Sequence, residues 1–170
     1  MTSTRTDIFR AIDRWPGIHF NELVRRLDLA PGQVQHHINV LQDDGRVVRE
    51  PLFGRTHYYA PSIDEADRAA IALLRRETPR AMMSCLLEEG PMPARELATE
   101  LDLANSTVSY HVDRLEQAAL VEREQTLRNA DRLRIADPQR IESLLAHIVP
   151  DPSARLTDRF ERLVDELVDE

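Results

Sequence analysis

The sequence predicts a mainly helical α+β protein that is built from two copies of one structural unit. Three observations lead to this fold class. The stretch at residues 21–50 returns without a gap at residues 95–124, at an offset of 74 positions. Each copy holds two short segments with apolar residues at helical spacing. Each copy then continues into short β-prone segments separated by turn residues, which is the pattern of a hairpin.

The match between the two copies extends over a whole unit. Most matched positions are apolar, and the others are charged residues or histidines beside them. The matched pairs are Glu22 and Glu96, Leu23 and Leu97, Leu27 to Ala30 and Leu101 to Ala104, Val34 and Val108, His37 and His111, Leu41 and Leu115, Val47 and Val121, and Arg49-Glu50 and Arg123-Glu124. Self-similarity of this kind means that one unit occurs twice. The 170-residue chain is therefore expected to fold as two small domains with modest cores.

Two short helices and the turn between them form the centre of each copy. In the first copy Leu23 and Leu27 mark one apolar face, and Val34, Ile38 and Leu41 mark the next. A helix, a tight turn and a second helix make a helix-turn-helix. The bounds predicted for the first copy are Asp7 to Trp15 for a preceding helix, Phe20 to Asp28 for the second helix and Pro31 to Asp44 for the third.

A hairpin is predicted after the third helix. Gly45 can adopt the left-handed conformation that ends a helix. Val47-Val48 and His57 to Tyr59 are then expected to form two strands joined at Phe53-Gly54-Arg55, and such a hairpin is a wing. The second wing is expected at Leu120 to Glu124 and Leu133 to Ile135, with Arg128 and Arg132 near its tip.

The order of these residues resembles that of the winged helix-turn-helix regulators of the arsenic-repressor and multiple-antibiotic-repressor type. The resemblance depends on the first-copy residues Leu23, Leu27, Leu29, Val34, His37 and Leu41 and on the wing that follows. The tandem arrangement resembles predicted archaeal regulators with two such domains. The resemblance covers most of residues 7–136 and implies two winged helix-turn-helix modules in a transcriptional regulator that binds double-stranded DNA.

The segment between the modules is expected to be a linker, and the C-terminal segment is expected to form a dimer interface. The domains are predicted as a first module at 1–62, a linker helix at 63–78, a second module at 79–136 and C-terminal helices at 137–170. The tail carries an apolar stripe, which needs a cover and predicts a homodimer. The stripe residues assigned to dimerisation are Leu156, Phe160, Leu163, Val164 and Leu167.

The charge is unevenly distributed. All 22 basic residues are arginines, against 30 acids, for a net charge of −8. This bias fits a GC-rich genome and a salt-loving archaeon. Residues 1–62 hold 8 arginines and 7 acids, for a net charge of +1, whereas residues 63–170 hold 14 arginines and 23 acids, for a net charge of −9. Because phosphate neutralisation contributes much of DNA affinity, the first copy is predicted to be the DNA reader.

The DNA-contacting residues are predicted on the third helix and the wing of the first module. Amide side chains can bond to adenine edges, and arginines can contact phosphates. The predicted residues are Gln33, Gln35, His36, Asn39, Arg46, Arg49, Arg55 and His57. The alternative is an ordinary solvated helix face.

The equivalent face of the second module is a poorer candidate. Asp113 would repel phosphates there, and residues 79–136 hold 7 arginines and 10 acids, for a net charge of −3. A packing or dimer-positioning role is an equal alternative. The possible contacts in this module are Thr107, Ser109, Tyr110, Arg128 and Arg132.

Several classes of site find no support in the sequence. The six histidines have no cysteine-backed metal spacing, and Cys85 is a lone cysteine, expected to act as a small core hydrophobe. No phosphate loop or catalytic constellation occurs, so neither catalysis nor a cofactor is predicted. The chain is expected to be cytoplasmic, without a membrane partner, and the sequence names no small-molecule effector. The rival function is a structural scaffold of the chromosome-organising or polymerase-associated kind.

Overall fold

A computed structural model describes residues 3–125 and 131–148 of the chain. The chain divides into two compact units, Met1–Ala72 and Leu73–Glu170. Each unit holds one winged helix-turn-helix module, which confirms the predicted fold class. The division falls inside the region that we predicted as a linker helix at 63–78.

The first unit contains a three-helix group followed by a two-stranded hairpin. Its elements are α1 (Thr4–Arg14), α2 (Phe20–Leu27), α3 (Pro31–Asp43), β1 (Val48–Leu52) and β2 (Arg55–Tyr59), and α4 (Glu65–Leu74) begins in it. The predicted helices of this copy are all present. The predicted linker helix is shorter than expected, since it ends at Leu74 and the next helix begins at Glu77.

The apolar stripes of α1, α2 and α3 meet in the core of the first unit. Leu23, Val34, Ile38 and Leu41 are fully buried, as their spacing predicted. The α1 and hairpin residues that join them are Ile8, Ala11, Ile12, Ile18, Val47 and Tyr58. Each large apolar side chain that is buried in this way contributes about 1.5 to 3 kcal/mol relative to an exposed one.

The first wing has the geometry of a tight hairpin. Gly45 ends the turn after α3 with a φ of +67°. The antiparallel register runs from Val48 opposite Tyr59 to Leu52 opposite Arg55. Phe53 and Gly54 form the turn with φ values of +50° and +77°, and two positive values match the right-handed twist of a two-residue hairpin. The strands are longer than predicted, and Arg55 belongs to β2 rather than to the turn.

The second unit repeats this arrangement. Its elements are α5 (Glu77–Glu89), α6 (Ala94–Glu100), α7 (Asn105–Gln117), β3 (Val121–Gln125), β4 (Asp131–Ile135) and α8 (Pro138–His147). Asp137 caps α8, because the Arg140 amide donates to Asp137 Oδ1 at 3.1 Å. Met92 pairs with Leu133 as Ile18 pairs with Tyr58 in the first unit, so a short third strand also recurs.

The core of the second unit includes the matched apolar positions of its helix-turn-helix, Leu97, Val108 and Leu115. Its buried residues include Met82, Met83, Leu86, Leu97, Val108, Val112, Leu115, Leu133, Ile135 and Ile141. Cys85 is only partly buried, so the expectation that it is a core residue is wrong. Burial raises the pKa of the Cys85 thiol, and the negative charges of Glu100, Glu89 and Glu88 raise it further. Such a thiol is a weak nucleophile at neutral pH.

The turn between the two helices of each motif holds a left-handed aspartate at the matched position in both units. Asp28 has a φ of +50° and Asp102, at the matched position, has a φ of +53°. Aspartate tolerates the left-handed region better than most residues, because its short polar side chain can bond locally. The duplication is therefore visible in the backbone as well as in the sequence.

A second left-handed position carries glycine in one copy and alanine in the other. Ala119 has a φ of +54° where the first copy has Gly45. A Cβ atom is strained in this region, so Ala119→Gly is expected to raise the free energy of unfolding by about 0.5 to 1 kcal/mol after the entropic cost of glycine. Urea unfolding followed by circular dichroism would measure the change.

The neighbouring alanine offers a matched control for this substitution. Ala118 has a φ of −84°, where a Cβ atom is not strained. Ala118→Gly is therefore expected to lower the stability slightly. Equal stability changes for Ala119→Gly and Ala118→Gly would contradict the assignment of strain to Ala119.

Candidate nucleic-acid interface

The outward face of α3 gathers the polar residues that the sequence singled out. Because Val34, Ile38 and Leu41 are fully buried, the positions between them face away from the core. The four candidates Gln33, Gln35, His36 and Asn39 are all exposed. The first turn of α3 contains no acidic residue. This face therefore presents hydrogen-bonding groups over most of its length, and its one acid, Asp43, is the last residue of the helix.

Two of these residues are joined by a hydrogen bond. Gln35 Nε2 donates to Asn39 Oδ1 at 2.8 Å, one helical turn apart. The bond leaves the Gln35 carbonyl oxygen and the Asn39 amide hydrogens available to other partners. It also orders both side chains before any partner arrives, which lowers the entropic cost of binding.

The first wing and the turn that leads into it carry the three predicted arginines. Arg46 is exposed, and its guanidinium lies 4.3 Å from the centre of the Phe9 ring. Arg49 is exposed on β1, opposite Tyr58. Burial raises the pKa of the Tyr58 hydroxyl, and the positive charge of Arg49 offsets part of that shift. Arg55, partly buried, begins β2 next to the turn.

The acid of the first wing is neutralised within its own module. Glu50 Oε2 lies 3.3 Å from Arg68 Nη1, and both side chains are largely covered. Arg68 also donates from Nε to the Ile63 carbonyl, and its own carbonyl accepts from the Tyr59 hydroxyl at 2.8 Å. This network holds the start of α4 against the wing. It also reduces the repulsion that Glu50 would exert on a phosphate.

His57 is not part of the exposed surface, so the prediction that it contacts DNA is wrong. Its side chain is 1% exposed, and Nδ1 donates to the Gly17 carbonyl at 2.9 Å. The alternation of β2 places His57 on the same side as buried Tyr59, which is the physical reason. The sequence analysis also missed His19, whose Nδ1 donates to the Thr56 carbonyl at 3.0 Å. The two imidazole rings, 4.4 Å apart, attach the wing to the start of α2.

The matching face of the second module has a different chemistry. Thr107 is partly buried, whereas Ser109 and Tyr110 are exposed. Tyr110 is 41% exposed, and the Arg114 guanidinium lies 3.7 Å from its ring centre. Arg132 is exposed on β4, opposite Glu124.

An ion-pair cluster on this face was not foreseen from the sequence. Arg123 Nε donates to Glu116 Oε1 at 2.9 Å, and Arg123 Nη2 lies 3.5 Å from Asp113 Oδ1. We call Asp113, Glu116 and Arg123 the β3 clamp. The signal that would have found it is the 74-residue offset, because Asp113 and Glu116 replace two amides of the first copy.

Some predicted residues lie outside the part of the chain that the structure describes. These are Arg128 in the second wing and the dimerisation stripe Leu156, Phe160, Leu163, Val164 and Leu167. Within residues 3–125 and 131–148, no three histidine, cysteine or acidic side chains are grouped so as to hold a metal ion. No helix in the same ranges has the length and apolar character needed to cross a membrane.

Two family models match the chain, one for each module. An N-terminal HTH domain model matches residues 2–71. A helix-turn-helix domain model matches residues 73–124. The two matches follow one another along the chain, as the two structural units do.

The chain is also similar to an archaeal protein. It is 27% identical over 121 residues to an uncharacterized HTH-type transcriptional regulator, MJ1398, of Methanocaldococcus jannaschii. The match covers 71% of this chain but only 30% of that relative's length.

Two solved structures of AbfR match part of the chain. Disulfide-formed AbfR matches with a TM-score of 0.38 and 17% identity, over 62% of this chain and 83% of that one. Overoxidized AbfR bound to DNA matches with a TM-score of 0.38 and 24% identity, over 52% of this chain and 70% of that one.

Proposed function

From the two helix-turn-helix domains that this chain carries, we propose that the protein is a DNA-binding transcriptional regulator that reads a specific sequence as a homodimer. The proposal includes no catalytic step and no cofactor, and it places the protein in the cytoplasm. One observation carries it: the exposed face of α3 offers amide and imidazole groups, with its acid only at the last residue, and Arg46 and Arg49 after the helix are exposed.

The proposed docking places α3 in the major groove. Gln35 and Asn39 then face base edges, where amides can form paired bonds to adenine. Gln33 and His36 lie on the same exposed side of the helix. The wing carries Arg55 towards a phosphate or the minor groove, which is the usual task of residues flanking a recognition helix.

The negative net charge is compatible with this docking. The charge of −8 belongs to the whole chain, whereas the field near a binding face depends on the groups within about 10 Å of it at physiological salt. In the first module, Glu50 is paired with Arg68, and α3 has its acid at the end, at Asp43. Asp44, in the turn after α3, lies 3.8 Å from Arg5, so arginines of the same module offset both Glu50 and Asp44.

Arg55→Ala should weaken binding to all DNA sequences by a similar factor. The loss of one phosphate contact is expected to flatten the slope of log affinity against log salt by about one unit. Fluorescence anisotropy with a labelled mixed-sequence duplex, repeated across a salt series, would measure it.

Arg134→Ala in the second wing is the matched control, because it removes the same charge from a residue that is paired with Glu122. It is expected to leave the salt slope nearly unchanged. If Arg55→Ala has no effect while Arg132→Ala abolishes binding, the roles of the two modules are reversed. If the full chain shows no salt-dependent binding to any duplex, the scaffold function replaces the regulator.

The homodimer is proposed from the apolar stripe of the tail sequence. Burying several large apolar side chains at about 1.5 to 3 kcal/mol each is enough to drive association. Two symmetric copies of α3 would fit half-sites about one helical turn apart, or a multiple of that.

Deletion of residues 153–170 is expected to convert the dimer into a monomer, as measured by light scattering. The control variant keeps the tail and replaces Arg155 with alanine, since this change leaves the stripe intact. An unchanged dimer after the deletion would remove the tail from the interface. A monomeric full-length protein would contradict the homodimer itself.

A further inference from the structure

The β3 clamp occupies the place on the second module where the first module has its exposed wing arginine. Arg123 matches Arg49 at the 74-residue offset, and each lies near the start of the first wing strand. Arg123 is held by Glu116 at 2.9 Å and by Asp113 at 3.5 Å. The matched acids are absent from the first module, where Asn39 stands for Asp113 and Gln42 stands for Glu116.

Arg49 has no such clamp. Across residues 3–125 and 131–148, Arg49 forms no ion pair, and its charge acts on the Tyr58 hydroxyl. The two modules therefore differ by two acids in place of two amides on one helix face. In the first module Arg49 can donate hydrogen bonds to a phosphate, whereas in the second module Arg123 is already paired. The rest of the helix-turn-helix frame is shared by the two modules.

The clamp is expected to affect DNA binding more than stability. Arg123 is 43% exposed and Asp113 is 66% exposed, and ion pairs at such a surface contribute little to folding. A phosphate that approached Arg123 would have to displace two carboxylates and would then lie beside them. Both effects oppose the release of counterions that normally drives nucleic-acid binding.

The other described arginines of the second wing also lie beside acids. Arg134 is hydrogen-bonded to Glu122 across the hairpin, and Arg132 lies opposite Glu124 in the register. The described part of the wing therefore carries its own counter-charges. The first wing has a single acid, Glu50, which Arg68 neutralises from outside the hairpin.

We propose that Asp113 and Glu116 are the specificity-determining residues that decide which of the two modules takes DNA, by engaging Arg123 and repelling phosphate. This inference rests on the proposed function of the first module. The second module should therefore be able to bind a nucleic-acid backbone once Asp113 and Glu116 are replaced by neutral residues.

The test uses the full chain with Arg49→Ala and Arg55→Ala, so that binding by the first module is reduced. Asp113→Asn and Glu116→Gln are then added, and the probe is a labelled mixed-sequence duplex of about 20 base pairs. One new phosphate contact is expected to raise affinity roughly tenfold at 0.1 M salt and to steepen the salt slope by about one unit. A further Arg123→Ala change is expected to remove the gain.

Glu88→Gln with Glu89→Gln is the matched control, because it removes two exposed charges from α5 rather than from the clamp. Circular dichroism checks that each variant is folded. If the control raises affinity as much as the clamp variant, or if Arg123→Ala leaves the gain intact, the inference is overturned.

The role of the first module and the role of the β3 clamp can be tested separately. If Arg49→Ala and Arg55→Ala do not weaken the DNA binding of the full chain, the proposed role of the first module is contradicted. A clamp variant without a gain in an otherwise DNA-binding chain contradicts the inference alone. The reciprocal variant, Asn39→Asp with Gln42→Glu, is expected to reduce wild-type binding at least tenfold and to leave the fold intact.

Discussion

Leu41→Ala is expected to lower the free energy of unfolding by about 2 to 5 kcal/mol, because it leaves a cavity in a tightly packed core. Leu41 is fully buried at the end of α3. Its carbonyl also accepts hydrogen bonds from the Arg46 and Val47 amides, at 2.8 and 3.2 Å, where the chain turns into the wing. The substitution therefore loosens the point at which helix and wing join. Urea unfolding monitored by circular dichroism would measure the loss, and anisotropy would show weaker DNA binding.

Two substitutions bracket this prediction. Gln33→Ala changes an exposed position of the same helix and is expected to alter stability by no more than about 0.5 kcal/mol. Leu115→Ala removes the matched, fully buried leucine of the second unit. It should destabilise the chain to a similar extent and spare DNA binding at temperatures where the first unit remains folded. A Leu41→Ala variant as stable as Gln33→Ala would show that the α3 stripe does not form the core described above.

Loss of either amide of the Gln35 and Asn39 pair is expected to relax base specificity. Gln35→Ala or Asn39→Ala should cost about 1 to 3 kcal/mol at particular base pairs and little at others. The 2.8 Å bond between them predicts coupling, since removing one side chain frees the other. The double variant should therefore cost less than the sum of the two single changes.

The measurement is anisotropy with a panel of duplexes that differ at single base pairs, chosen after selection from a random pool. Ser109→Ala is the control, because Ser109 holds the matching position to Gln35 in the second module. It is expected to leave the base preferences unchanged. A uniform loss over the whole panel for Gln35→Ala would assign Gln35 to the backbone rather than to the bases.

The frame of both modules could be predicted from the sequence because it depends on local patterns. Helical spacing placed Val34, Ile38 and Leu41 in the core, and Gly45 marked the end of α3. The Asp137 cap of α8 follows from a cap residue directly before a proline. Each of these signals lies within a few residues of the structure that it determines.

The errors concern contacts between distant residues. His57 was assigned to DNA from its place on the wing, but its partner is the carbonyl of Gly17, 40 residues earlier. The β3 clamp joins a helix to a strand through Asp113, Glu116 and Arg123, and no local pattern reveals that these side chains meet. In both cases the position along an element was correct, and the direction of the side chain depended on packing.

The paired left-handed aspartates, Asp28 and Asp102, have a consequence for how such a protein can change. Because each turn holds its aspartate in the left-handed conformation and the matched apolar positions of α3 and α7 are buried, substitutions on the outer surface of α3 or α7 need not disturb the frame beneath. After a duplication, one module can therefore keep its binding surface under selection, while the other accumulates charge-changing substitutions on its surface. The difference between Asn39 and Asp113 is a change of this kind, and a few exchanges at matched positions would transfer the binding surface from one copy to the other.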